Sequence, residues 1–299
     1  MSAEERYRAL EAQPMVSTTL QSQGIRGSFL AIREILRHRE MLGLLVRRDL
    51  KARYKDSALG LLWTFIKPLT QLVIYYIVIG KFLEAERGIP DFAVYIFTGL
   101  TAYGLFSEIL TGSTSSIIEN SGLIKKIYLP REVFPLASVG SALFNFSMQL
   151  IILIAATFVV GHPPLHLDLL YVLPSILLLL VYGTAIGLLF SGINVYLRDI
   201  KYLVEVAVLI LLWASPVVYA WGMVRNFLGQ GILLELYTNS PITLAVLGFQ
   251  KAFWVAGSGA AFPADLLLRQ GIAIGIGIVL LFIAQRVFAR LQGNFAQEL

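Results

Sequence analysis

Lys67 and Glu205 are the ionisable residues read inside the long apolar stretches of this sequence, and a charge so placed is a functional candidate by default. Both lie within about two helical turns of the nearer end of their stretch, so snorkelling to the surface explains them equally well. His38 falls in a basic arm, while His162 and His166 share the turn GHPPLHLD with Asp168. A metal held by His162, His166 and Asp168 is one reading of that turn. Its prolines and short spacing suit a polar hairpin cap better. Other chemistries lack their residues. No G-x-x-x-x-G-K-S/T loop occurs to cradle nucleotide phosphates. The absence of cysteine excludes disulfides, thiol catalysis and thiolate metal sites. No relay of Asp, Glu and His crosses a midplane, which argues against a proton-coupled pump. No carboxylate pair serves a membrane glycosyltransferase or polymerase. We therefore assign no catalytic, cofactor-binding or metal-ligating residue.

The elements that would position Lys67 and Glu205 follow from composition. Of 299 residues 57% are hydrophobic and 14% charged, with mean hydropathy +0.73. A soluble domain carries about 25% charge, so this chain reads as an all-α integral membrane protein. Its net charge of +5 and pI near 9.4 would suit nucleic acid in a soluble protein. Here Arg and Lys gather at the ends of apolar runs, which points to orientation in a bilayer and to no nucleic-acid partner. The start, MSAEERYRALEAQ, has neither a short apolar core nor a small-residue cleavage site, so it is expected to stay in the cytoplasm.

Six runs are long enough to cross the roughly 30 Å of hydrocarbon: Gly60–Phe82, Phe92–Leu110, Val133–Val160, Leu169–Leu197, Tyr202–Trp221 and Leu266–Ala284. They form a permease domain, 60–299, behind a cytoplasmic arm, 1–59. Between the last two lies an outer segment, 222–265, in which Ile242–Trp254 is apolar but short, a length typical of re-entrant or interfacial helices. Assigning 1–59, 111–132, 198–201 and 285–299 to the cytoplasm puts 18 of the 24 basic residues inside. Only Lys81, Arg87, Arg225, Lys251 and Arg269 fall outside, so both termini are expected to be cytoplasmic.

Shorter features add detail. Phe29, Ile32, Ile35 and Leu36 share a helical face apart from Arg33, Arg37 and Arg39, as in a helix lying along the membrane surface. In SGLIKKIYLPREVFPL, at 121–136, Lys125, Lys126 and Arg131 surround Ile127, Tyr128 and Leu129. That pattern suits a short helix docking into a partner's groove. The link NVYLRDIKYLVEV repeats the theme, and Pro216 in ASPVVYAW should break the fifth span. Gly183–Gly187 and Gly271–Gly275 have the spacing of close helix packing, within or between chains.

RRDLKARYKDSALGLLW (47–63), KKIYLPREVFPLAS (125–138), NVYLRDIKY (194–202), SPVVY (215–219) and NSPI (239–242), in this order, resemble the polysaccharide-export permeases of ABC transporters. The resemblance runs from about Arg37 to the last span. It implies six spans and a homodimer, with two copies of a separate ATPase that carry ATP and magnesium. This chain would then hold no cofactor and hydrolyse no ATP. It further implies a polyprenyl-linked polysaccharide threaded through a channel at the dimer centre. The arm with Arg33, Arg37, Arg47 and Arg48 is similar to the family's interface helix. Lys125, Lys126, Ile127, Tyr128, Pro130, Arg131 and Glu132, with Arg198 and Asp199 of the second link, are similar to its ATPase-coupling elements. Residues 222–260 resemble its outer gate helices.

An ABC exporter of small lipids or drugs would share the topology, but the long arm and the LPRE stretch favour polysaccharide. Aromatic rings let a sugar chain slide over its C–H faces, so Trp63, Phe65, Phe106 and Tyr219 are candidates for channel lining. Trp63 and Trp221 near span ends also suit the interfacial belt. Phe65 and Tyr219, beside Pro68 and Pro216, are placed where broken helices open toward a cavity.

Overall fold

The computed structural model describes residues 37, 39–54, 59–84, 88–126 and 129–299. Helix α1 (Arg39–Tyr54) leads through a 3-10 turn (Gly60–Leu62) into α2 (Trp63–Tyr75), which continues as a π-helix over Tyr76–Phe82. Then come α3 (Phe92–Glu119), the single turn α4 (Ser121–Ile124), α5 (Val133–Val160), a 3-10 stretch (Leu167–Tyr171) and α6 (Val172–Tyr196). The chain ends through α7 (Ile200–Trp213), α8 (Trp221–Leu228), α9 (Ile232–Thr238), α10 (Pro241–Phe253), α11 (Leu266–Leu291) and α12 (Phe295–Glu298). Among the described residues no strand occurs.

Five helical stretches are long and apolar enough to cross a membrane: Trp63–Phe82, Phe92–Glu119, Val133–Val160, Leu167–Tyr196 and Leu266–Asn294. Helices α9 and α10, bent by 70°, pass that test only as a pair. The count is thus five, or six if the bent pair is one span. The expected fifth span, Tyr202–Trp221, is shorter than its composition promised. Helix α7 has 14 residues, about 21 Å at 1.5 Å per residue, and stops at Trp213. Pro216 has no N–H with which to continue the ladder. Ser215 turns its Oγ back onto the Leu211 carbonyl at 2.8 Å, and the Val217 N–H donates to the Ser215 carbonyl at 2.7 Å.

The second span departs the other way, running nine residues past Leu110 to Glu119. From sequence this apolar run ends at Leu110, and the more polar TGSTSSIIE, with the rest of 111–132, is assigned to the cytoplasmic side. In the helix four of the five hydroxyls are absorbed by a carbonyl one turn back, Thr111 on Ser107, Thr114 on Leu110, Ser115 on Thr111 and Ser116 on Ser113, while Ser113 donates to the Pro135 carbonyl of α5. With these groups satisfied the helix continues into the interior.

Helix α3 is the central post, with 78% of its most apolar window buried, and α5, α6 and α10 pack around it. On its far side α6 carries α11. The approach of α6 to α3 depends on small residues. A Cβ on Gly183 would lie 2.9 Å from Ile109 Cγ2, and one on Gly187 would lie 2.7 Å from Ser113 Cβ. This small-residue pair therefore packs within the chain, whereas Gly271 and Gly275 face open space. Helix α10 is buried on nearly every side, while α2 surrenders only 6% of its most apolar window to the rest of the chain.

Candidate functional site

A cavity of about 590 Å³ opens between α2, α3 and α5. Each helix contributes one stripe at helical spacing: Trp63, Thr64, Lys67, Pro68 and Gln71 from α2; Tyr103, Gly104, Ser107 and Glu108 from α3; Asn145 and Gln149 from α5. Arg53 of α1 and Leu212 of α7 complete the wall. Glu108 lies 11 residues before the end of its span, about 16 Å along the helix. Its two carboxylate oxygens accept from Asn145 Nδ2 at 3.2 and 3.0 Å, and the charges of Arg53 and Lys67 act on it. Asn145 is 3% exposed, and its Oδ1 is buried without a hydrogen-bond partner. Across the cavity the Gln149 carboxamide lies over Gly104, where a Cβ would stand 3.4 Å from Oε1. Pro68 withdraws one N–H from the α2 ladder beside these residues.

At one end of α7 the break at 214–219 is pinned by side chains from two other helices. Tyr95 Oη shares its one proton between the carbonyls of Pro216 and Tyr219, at 3.0 and 2.7 Å. Gln250 Nε2 donates to the same Pro216 carbonyl at 2.6 Å. Tyr219 Oη donates to the Trp213 carbonyl at 2.7 Å, and Trp221 Nε1 donates to Thr238 Oγ1 at 2.9 Å. Near this end Asp91 meets His162 Nδ1 at 2.6 Å, and Lys251 lies 3.7 Å from Asp168. Among the described residues no three His, Cys, Asp or Glu side chains converge as metal ligands.

The opposite end collects the basic residues. Arg48 donates to Asn120 Oδ1 at 2.6 Å and meets Asp49 at 2.7 Å, tying α1 to the end of α3. Leu45 is buried there, and Val46 faces Gly140 of α5. The links beside α1 close over the start of α12. Phe295, fully buried, meets Tyr196 and Phe288 edge-on at 6.1 and 5.6 Å, and the Arg131 guanidinium lies 5.5 Å over its ring. Gln292 Nε2 reaches Glu132 Oε1 at 3.3 Å, and Tyr196 Oη donates to the Leu291 carbonyl at 2.7 Å.

A family model for ABC-2 type transporters matches residues 40–254, from α1 through α10. The chain belongs to the ABC-2 type transporter family. It is 28% identical over 269 residues to the O-antigen export system permease protein RfbA of Myxococcus xanthus, covering 90% of this chain and 98% of that one. A Klebsiella pneumoniae protein of the same name is 27% identical, covering 87% and 95%. The capsule polysaccharide export inner-membrane protein CtrC of Neisseria meningitidis is 23% identical over 52% of this chain and 58% of its own. The cavity helices α2, α3 and α5 all lie within the part that defines this chain as an ABC-2 transporter.

Among residues expected to couple this ABC-2 chain to a partner, Lys125, Lys126, Arg198 and Asp199 are exposed and Pro130 is half-buried. Arg131 stacks on Phe295, and Glu132, 5% exposed, turns toward Gln292. Ile127 and Tyr128 lie outside the described residues, as do Arg33 and the helix expected over 29–36. Arg37, Arg47 and Arg48 stand exposed or partly so. Of the channel-lining candidates, Trp63 faces the cavity at 40% exposure, while Phe65 and Tyr219 are half-buried. Phe106, 2% exposed, and Trp221, 6% exposed, are packed into the core. Glu205 is exposed near the start of α7. Glu108, Asn145, Gln149 and Gln71 escaped the sequence reading. Glu108 sits inside the run Phe92–Leu110, and the signal that finds it is polar residues recurring at helical spacing, 64-67-71 and 145-149, in runs otherwise apolar.

Proposed function

We propose that this ABC-2 transporter chain is the membrane permease of an exporter that moves a lipid-linked polysaccharide across the cytoplasmic membrane. It works as a homodimer, with both termini cytoplasmic and a separate ATPase docked on the basic end. The observation that carries the reading is the likeness along nearly the whole length of O-antigen export permeases. A transporter that must pass a hydroxyl-rich chain also needs polar groups within its spans, and the cavity supplies them. In this reading 222–265 forms the outer gate, with α9 and α10 as a re-entrant pair. The basic arm lies on the inner surface, where Arg and Lys concentrate.

The test is to delete the gene for the chain and to purify the tagged protein from native membranes. The expected outcome is glycan retained on the cytoplasmic side, and co-purification of an ATPase and of a polyprenyl-linked glycan visible by mass spectrometry. Unaltered surface glycan after deletion, with no ATPase bound to the purified chain, would refute the proposal.

A further inference from the structure

The cavity between α2, α3 and α5 combines three chemistries that rarely meet inside a membrane helix bundle. Carboxamides and a carboxylate (Gln71, Gln149, Asn145, Glu108) offer paired donors and acceptors of the kind that match neighbouring hydroxyls. The indole of Trp63 offers a flat apolar face. Arg53 and Lys67 bring two positive charges against the one negative charge of Glu108, so the cavity is net cationic. Packing alone does not account for this set. Asn145 Nδ2 is committed to Glu108, and its buried Oδ1 has no hydrogen-bond partner among the described residues. Gly104 keeps the floor open below Gln149.

We propose that this cavity is a binding subsite for a glycosyl phosphate headgroup, which deepens the exporter reading above and rests on it. Trp63 stacks on the C–H face of the sugar. The Gln149 and Gln71 carboxamides bond its hydroxyls, and Arg53 and Lys67 face the phosphate. A cavity of about 590 Å³ has room for a mono- or disaccharide with its phosphate, the size of the lipid-proximal end.

The same chemistry occurs on a membrane lipid and on a water-soluble sugar phosphate, so the experiment separates them. The full chain in lipid nanodiscs is titrated with farnesyl-diphosphate-linked N-acetylglucosamine, with farnesyl diphosphate and with glucose 1-phosphate. The glycosylated lipid is expected to bind at least tenfold more tightly than either of the others. Lys67→Met and Gln149→Leu should each weaken it by about tenfold, or about 1.4 kcal/mol. Gly104→Leu, which fills the floor, should abolish binding, while Lys251→Met, at the far end, should leave it unchanged. The unfolding temperature of each variant is measured alongside, and Lys67→Met and Gln149→Leu keep the test decisive if Gly104→Leu fails to fold. Equal binding by wild type, Lys67→Met and Gln149→Leu would overturn the subsite. So would glucose 1-phosphate or farnesyl diphosphate binding as tightly as the glycosylated lipid. Either result would leave the exporter reading standing, because that reading falls only on the deletion and co-purification outcome.

Discussion

The Pro216 carbonyl accepts from two side chains that are far away in sequence, Tyr95 121 residues upstream and Gln250 34 residues downstream. Two donors on one oxygen make each partly redundant. Removing one should cost about 1 kcal/mol, whereas removing both strands a buried carbonyl and adds about 1–3 kcal/mol. Tyr95→Phe and Gln250→Leu should therefore each lower the unfolding temperature modestly, and the double variant should lose more than the sum. Strict additivity in a double-mutant cycle would show that the two donors are not coupled through that oxygen. Half of this knot was legible beforehand. Pro216 declares a break by its missing N–H, but nothing local in SPVVY names Tyr95 or Gln250, which meet it only after α3 and α10 have packed. Lys67 shows the same limit from another side. A lone lysine near a span end reads as snorkelling, and only Gln71 one turn on, with Glu108 and Gln149 across the gap, reveals that it faces a shared polar space.

Among elements, the α3–α6 contact sets the spacing of the bundle. Gly183→Leu or Gly187→Leu would drive a branched side chain into Ile109 or Ser113 and should cost at least the about 1–3 kcal/mol typical of overpacking. Gly271→Leu and Gly275→Leu, in open space, should leave the unfolding temperature of the purified protein nearly unchanged. The assignment fails if all four variants are equally stable. The spacing rule found both pairs, but it does not say which has a partner. Helix boundaries divide in the same way. Val133–Val160 was readable to the residue, since a run without a charged residue ends in a glycine, which takes φ of 87° at position 161. The end of α3 was not, because hydroxyls that bond back to their own helix have the composition of a loop.

At the scale of the whole molecule, charge is polarised toward one end, and the links between helices contribute the exposed Lys125, Lys126 and Arg198 to it. Reversing all three to Glu should reduce capture of the ATPase by about tenfold or more, at unchanged membrane insertion, read by co-purification at two salt concentrations. Arg131→Ala and Glu132→Ala should act differently, by loosening Phe295 and Gln292, and should show first as lost thermal stability. If charge reversal leaves ATPase capture intact, docking lies elsewhere. The charge polarity was plain in the sequence; the inward turn of Glu132 was not, since its partner is 160 residues away. Compliance is unevenly distributed over the molecule as well. Helix α3 is clasped on most sides, whereas α2 gives 6% of its apolar window to its neighbours and carries a proline and a π-helical end. Shifting α3 would break many contacts at once. Tilting α2 breaks few and mostly trades one hydrocarbon surrounding for another. The space between them is thus a chamber with one stiff wall and one soft wall, and its width is set by the cheapest motion the bundle allows.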